Sequence, residues 1–81
     1  MVSSKSDLAD WLYNALKANN GKGTIVQLCK HIWNNHENDL RNAGDLFYTW
    51  QYDIRWAANE LRKSEKMKPV DLSPKGIWEL R

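Results

Sequence analysis

One cysteine, Cys29, and two histidines, His31 and His36, are the only soft or imidazole ligands in the chain. A lone thiol cannot close an internal disulfide, so a cross-linked secreted framework is excluded. Cys29 and His31 stand two apart on a predicted helix and point to different faces, which leaves the tetrahedral spacing of a zinc site unmet. No metal is expected, and Cys29 reads as a small core residue. Long apolar runs are also missing. None exceeds three residues, too short for a transmembrane helix, and no signal-peptide core follows Met1. The expectation is a cytoplasmic module with no membrane role. Glycine is scarce, and Gly21-Lys22-Gly23 lacks the phosphate-cradling pattern of a P-loop. The serines at 3, 4, 6, 64 and 73 fall in predicted termini, turns and polar faces, with no histidine spaced to activate one. Neither an enzyme nor a bound cofactor is expected.

A dominant charge is lacking too. Twelve basic against ten acidic residues leaves +2, well below the footprint of a bulk nucleic-acid binder. The excess is local: within 55–68, five basic residues face two acidic ones, for a net +3. A solvated helix face produces such a stretch as readily as a ligand does.

What is present is enough for a core. Eighty-one residues make one domain, 1–81, and 42% hydrophobic residues with five tryptophans can fill it. Leu8, Trp11, Leu12, Ala15 and Leu16 recur at helical spacing and predict a first helix over about 7–19. Ser6 stands as its N-cap, with Gly21 at the left-handed position after it. Thr24-Ile25-Val26-Gln27 matches a capping box, opening a second helix over about 24–36 after a short extended piece at 22–24. Its apolar stripe is Ile25, Leu28, Cys29, Ile32 and Trp33. Residues 37–45 read as a polar connection with a helical turn around 39–42. Phe47, Trp50, Ile54, Ala58 and Leu61 predict a third helix over about 46–65, ended by the approach to Pro69. Ala57 and Ala58 would let another backbone come close. Beyond it, Pro69-Val70-Asp71-Leu72 and Ile77-Trp78-Glu79-Leu80 alternate around Ser73-Pro74-Lys75-Gly76, the pattern of a β-hairpin over about 69–81. Trp11, Trp33, Trp50 and Trp78 fall on apolar stripes. Trp56 lies across the third helix from Ile54 and Leu61, and because a large exposed indole is costly it is expected to be covered by the hairpin rather than exposed.

The outer stripe of the third helix is Tyr48, Gln51, Tyr52, Arg55, Asn59 and Arg62. Arginine, glutamine and asparagine read base edges bidentately, and tyrosine hydroxyls bind phosphate. Any solvated helix face is polar as well, so the stripe alone does not decide a partner. Three helices and a terminal hairpin, α+β and mainly helical, follow the order of a winged helix-turn-helix, with the hairpin as a two-stranded wing.

The run Trp50-Gln-Tyr-Asp-Ile-Arg-Trp-Ala-Ala-Asn-Glu-Leu-Arg62, followed by Leu72-Ser-Pro-Lys-Gly-Ile-Trp-Glu-Leu80, resembles the winged-helix domains of the Mrr-type restriction-endonuclease N-terminal class. It is similar also to helix-turn-helix modules of restriction enzymes and chromatin-associated proteins. Trp56, Ala57, Leu61, Gly76, Ile77, Trp78 and Leu80 carry the resemblance. It covers about 45–81 well and 7–36 only in pattern. Two features depart from it: the nine-residue connection between helices two and three, and the absence of a glycine in Ser64-Glu65-Lys66-Met67 after helix three. No nuclease domain accompanies the match, so no cleavage is implied.

The resemblance implies a DNA-binding module linked to restriction or defence systems, or to transcriptional regulation, either freestanding or fused to or encoded beside a larger protein. Phosphate contacts from Lys68, Lys75 and the helix-two N-terminus at Thr24 would position helix three. Gln51, Tyr52 and Arg55 would meet base edges or nearby phosphates, flanked by Tyr48, Asn59 and Arg62. The rival is a protein-interaction winged helix, favoured by the low net charge and by Asp45, Asp53, Glu60 and Glu65 along helix three. An RNA or unusual-duplex ligand is a third reading. The first two are separated by whether Arg55, Arg62, Lys68 and Lys75 form a continuous positive strip.

Overall fold

The computed structural model describes residues 5–81, in the order α1 (Lys5–Ala18), β1 (Lys22–Thr24), α2 (Ile25–Arg41), α3 (Leu46–Lys63), a 3-10 turn (Val70–Leu72) and β2 (Ile77–Glu79). This is an α+β, mainly helical fold whose C-terminal segment returns as an antiparallel strand. Among the described residues no helix is long and apolar enough to cross a membrane.

The apolar stripes meet in one core. Leu8, Leu12, Ala15 and Leu16 of α1 join Leu28, Ile32 and Leu40 of α2. Trp50, Ile54, Ala57, Ala58 and Leu61 of α3 complete it with Met67 and Trp78. α1 packs most extensively on α3, and the fully buried Ala15, Ala57 and Ala58 keep those surfaces low enough for close approach. Trp11 and Trp33 are only partly buried against this core, as is Trp56.

Helix boundaries differ from the sequence expectation in instructive ways. α1 already includes Ser6 within its first turn, so Ser6 is not its N-cap. At its other end Asn20 takes the left-handed conformation (φ 61°) and the Gly21 N–H closes back to the Leu16 carbonyl at 2.7 Å. Gly21 is left-handed as expected (φ 87°), and Asn20 precedes it in the same region, which asparagine tolerates. Thr24 caps α2 as its sequence requires: its hydroxyl accepts from the Gln27 N–H at 3.1 Å, and the Gln27 carboxamide oxygen accepts from the Thr24 N–H at 2.9 Å.

α2 continues past the expected end at His36, through a kink at that residue (φ −132°, ψ 22°), to Arg41. His36 stacks on Trp11 with ring centroids 4.1 Å apart, and one turn on Leu40 is fully buried. These two anchors hold the polar 37–41 segment in helical form. The connection to α3 is therefore Asn42–Asp45, four residues in place of nine, a length in keeping with a helix-turn-helix.

α3 ends at Lys63, and Glu65 adopts φ 64°. The Glu65 N–H donates to the Arg62 carbonyl and the Lys66 N–H to the Leu61 carbonyl at 2.8 Å, a Schellman closure built without glycine.

The strand pairing also departs from the simple hairpin. β2 pairs antiparallel with β1, in the register Lys22–Glu79, Gly23–Trp78 and Thr24–Ile77. On its other side it meets only a short stub, through a Met67–Leu80 bridge and a Lys68 N–H to Glu79 carbonyl bond at 2.9 Å. Residues 69–72 are not a strand. Pro69 has no N–H to continue the ladder, and the chain turns into the 3-10 element with Val70 and Leu72 both exposed. The hairpin thus has its base at 67–68 and 79–80, and a loop between. The closing turn is Pro74–Ile77, one residue later than expected, because Gly76 (φ 80°) supplies the left-handed third position. Gly23 sits in close packing: a Cβ there would lie 2.7 Å from the Asn19 Nδ2, which bonds the Lys22 carbonyl, and 3.3 Å from Leu28, so a larger residue would displace the Asn19 side chain.

Candidate functional site

α3 presents a ridge of exposed side chains with a groove on either side. Tyr48 and Tyr52, 85% and 78% exposed, stand one turn apart, and Gln51 and Arg55 are exposed beside them. Their solvation follows from position: the opposite face of the helix carries Trp50, Ile54, Ala57 and Leu61 into the core.

The first groove, of about 510 Å³, runs between α3 and the wing loop. Arg55, Asn59 and Arg62 line it from the helix, and Ser73, Lys75 and Trp78 from the C-terminal segment. Among the described residues, three cations and no carboxylate line this groove. The polar donors are organised. The Arg62 Nε donates to the Lys68 carbonyl at 3.4 Å, one terminal nitrogen donates to the Asn59 Oδ1 at 3.3 Å, and the guanidinium lies 5.9 Å from the Trp78 ring centroid. Arg62 therefore ties the helix to the wing root with part of its donor set and leaves the remaining N–H groups for the groove. The Ser73 Oγ is buried in the groove wall with no hydrogen-bond partner among the described residues.

The nine residues singled out in the sequence divide among three places. Arg55, Asn59, Arg62 and Lys75 come together around the wing groove. Tyr48, Gln51 and Tyr52 form the adjoining ridge of α3. Thr24 and Lys68 lie apart. The Thr24 hydroxyl is engaged in the α2 cap, and the Lys68 Nζ pairs with the Glu79 carboxylate at 3.3 Å across the wing root. The positive strip thus joins three of the four expected cations. Ser73 was not anticipated, and a serine before a proline in a turn carries no signal that would single it out.

The second groove, about 750 Å³, separates α2 from α3. Val26, Cys29, Trp33, Phe47 and Trp50 line it, with Lys30 and Arg55 the charged members. Trp33 stacks near-parallel to Trp50 at 6.2 Å between centroids, and Arg41 lies 5.3 Å from the Trp33 ring centroid. Burial pushes the Cys29 thiol pKa up, and the Arg55 guanidinium partly offsets that rise. Among the described residues no group of three His, Cys, Asp or Glu side chains is placed to hold a metal ion.

Compared with known proteins, the chain matches no family model, no curated protein and no solved structure. Any functional reading therefore rests on the residues and their arrangement.

Proposed function

We propose that this domain binds duplex DNA, with the α3 ridge entering the major groove and the wing groove receiving the phosphate backbone. One observation carries the reading: Arg55, Arg62 and Lys75, from two separate parts of the chain, share a groove that no carboxylate of the described residues lines. Asp45, Asp53, Glu60 and Glu65, which favoured a protein partner in the sequence, are not among its lining residues. Backbone phosphates contribute sequence-independent affinity through such cations, and base edges contribute discrimination. Arg55 and Gln51 have the donor geometry for guanine and adenine edges, while Lys75 on the loop suits a phosphate. Ser73 adds a neutral donor in the same wall. The winged-helix resemblance points the same way and suggests a role tied to restriction or transcriptional control.

With so few cations engaged, binding to random duplex is expected to be weak, with Kd on the order of 10⁻⁴–10⁻⁶ M at physiological salt. The test is titration of labelled duplex at roughly 50 and 200 mM salt, the span over which phosphate-driven affinity collapses. Lys75→Ala should weaken binding about equally on all sequences and lower the salt slope by about 1. Arg55→Ala should cost ~1–3 kcal/mol on a preferred site and relax discrimination there. Binding unchanged by both substitutions would overturn the reading.

A further inference from the structure

The groove between α2 and α3 has a composition that the wing groove does not share. Its floor is aromatic and aliphatic, from Trp33, Phe47, Cys29 and Val26, and the last is 63% exposed on the first turn of α2. Single exposed aliphatics are ordinary on a soluble surface. Here Val26 is continuous with two partly buried aromatic rings in one depression between two helices. Among the described residues, the charged side chains lining it, Lys30 and Arg55, are both cationic.

We propose that this groove docks an acidic amphipathic helix of a partner protein, its apolar face on the Trp33–Phe47 floor and its carboxylates against Lys30 and Arg55. The depression is lined by residues of two helices, and a helical guest places anchors at i, i+4 and i+7 along such a groove. From Ile25 to Trp33 the α2 wall is about 12 Å long at 1.5 Å per residue, room for about two turns of a guest. Charge complementarity selects the sign. A basic helix would bring its ammonium groups against Lys30 and Arg55, whereas a carboxylate meets both favourably.

Arg55 lines both grooves. A docked acidic helix and a bound duplex therefore compete for one guanidinium, so the partner acts as a displacer of DNA. The docking stands on the α2–α3 groove alone, while the displacement rests on the duplex reading.

The experiment separates the two. The full chain, isotope-labelled, is titrated in the absence of DNA with a synthetic helical peptide carrying leucines at i, i+4 and i+7 and glutamates elsewhere. A second peptide carries lysines in place of the glutamates. The acidic peptide should shift the signals of Cys29, Trp33 and Phe47 and bind about tenfold more tightly than the basic one, the expected sum of two reversed surface pairs. Lys30→Glu, at an exposed position that leaves the core intact, should narrow or reverse that preference. Lys75→Ala should leave peptide binding unchanged while weakening duplex binding. No shift in the groove up to millimolar peptide, equal binding of both peptides, or groove shifts caused by duplex and not by peptide would each overturn the docking. Peptide bound without displacing a duplex that does bind would overturn the displacement alone.

Discussion

Replacing Glu65 by glycine should stabilise this protein. Glu65 follows the last residues of α3 at φ 64°, and the Schellman closure depends on that conformation. For a residue with a Cβ, left-handed geometry costs roughly 1–2 kcal/mol, because the Cβ crowds the following carbonyl. Glycine removes the crowding but loses more backbone entropy on folding, about 0.5–1 kcal/mol by comparison with alanine in a regular element. A carboxylate just past a helix C-terminus also opposes the macrodipole, a term of about 0.3–1 kcal/mol at the surface. Combined, Glu65→Gly should gain about 0.3–2.5 kcal/mol. For a domain of this size that corresponds to a Tm rise of several degrees, at roughly 4–8 °C per kcal/mol. Glu65→Ala keeps the Cβ and removes only the charge, so it isolates the dipole term, and Glu65→Asn tests the conformation with a residue that tolerates it. Thermal melts and urea midpoints should rank Gly above Asn and Asn above Ala. Glycine no more stable than alanine would refute the claim that the α3 terminus stores left-handed strain. The position matters beyond stability: the Lys66 carbonyl accepts from the Arg81 N–H, so this corner sets where the wing leaves the helix.

Trp78→Ala should cost ~3–5 kcal/mol, the range for truncating a large buried aromatic, since Trp78 is only 9% exposed and pairs with Gly23 in the sheet. An unchanged melt would exclude β2 from the core. Thr24→Ala should cost about 1 kcal/mol as a lost N-cap, and amide exchange should rise first in the opening turn of α2. Because burial raises the Cys29 pKa above its unfolded value, the folded state favours the neutral thiol. That contribution to stability is complete below the unfolded thiol pKa and is lost as pH rises through the folded one. Unfolding midpoints should therefore fall with pH in the alkaline range more steeply for the native chain than for Cys29→Ala, and parallel profiles would contradict this assignment.

The legible parts of the fold were those whose determinants are local in sequence. The stripe Leu8, Leu12, Ala15 and Leu16 and the stripe Trp50, Ile54, Ala58 and Leu61 announce their buried faces by period alone. The Thr24–Gln27 box closes within four residues and forms as written. The continuation of α2 to Arg41 was hidden because Glu37-Asn38-Asp39 is polar and its anchors, Leu40 and the His36–Trp11 stack, are tertiary. The alternation at 69–72 misled for the opposite reason. Val70 and Leu72 recur with a strand period, yet both are exposed, and the missing N–H of Pro69 outweighs the pattern. At the site, the basic 55–68 stretch was visible, but which of its members face a common groove was not. Arg55 and Lys75 are twenty residues apart, and only the return of the C-terminal segment along α3 brings them together.

The three cations of the wing groove are not equivalent, and the difference decides which of them reports on a ligand. Arg62 is half-buried, bonded to the Lys68 carbonyl and to Asn59, and near the Trp78 ring, so its removal would loosen the wing as well as remove a charge. Any loss of binding on Arg62→Ala would mix geometry with electrostatics. Lys75 is exposed in the turn between Pro74 and Ile77, and its side chain makes no hydrogen bond among the described residues. Arg55 is exposed on a regular helix whose buried face is held by Ile54 and Ala58, so truncating it leaves the backbone in place. Lys75 and Arg55 are accordingly the substitutions whose effects can be read as lost contacts, one from a loop and one from a rigid element. Lys68 belongs with Arg62: its ammonium is already paired with Glu79, and offering it to a phosphate means giving up that pair. The groove therefore rests on a scaffold of two basic residues that hold the wing to α3, and on two others free to meet an anionic partner.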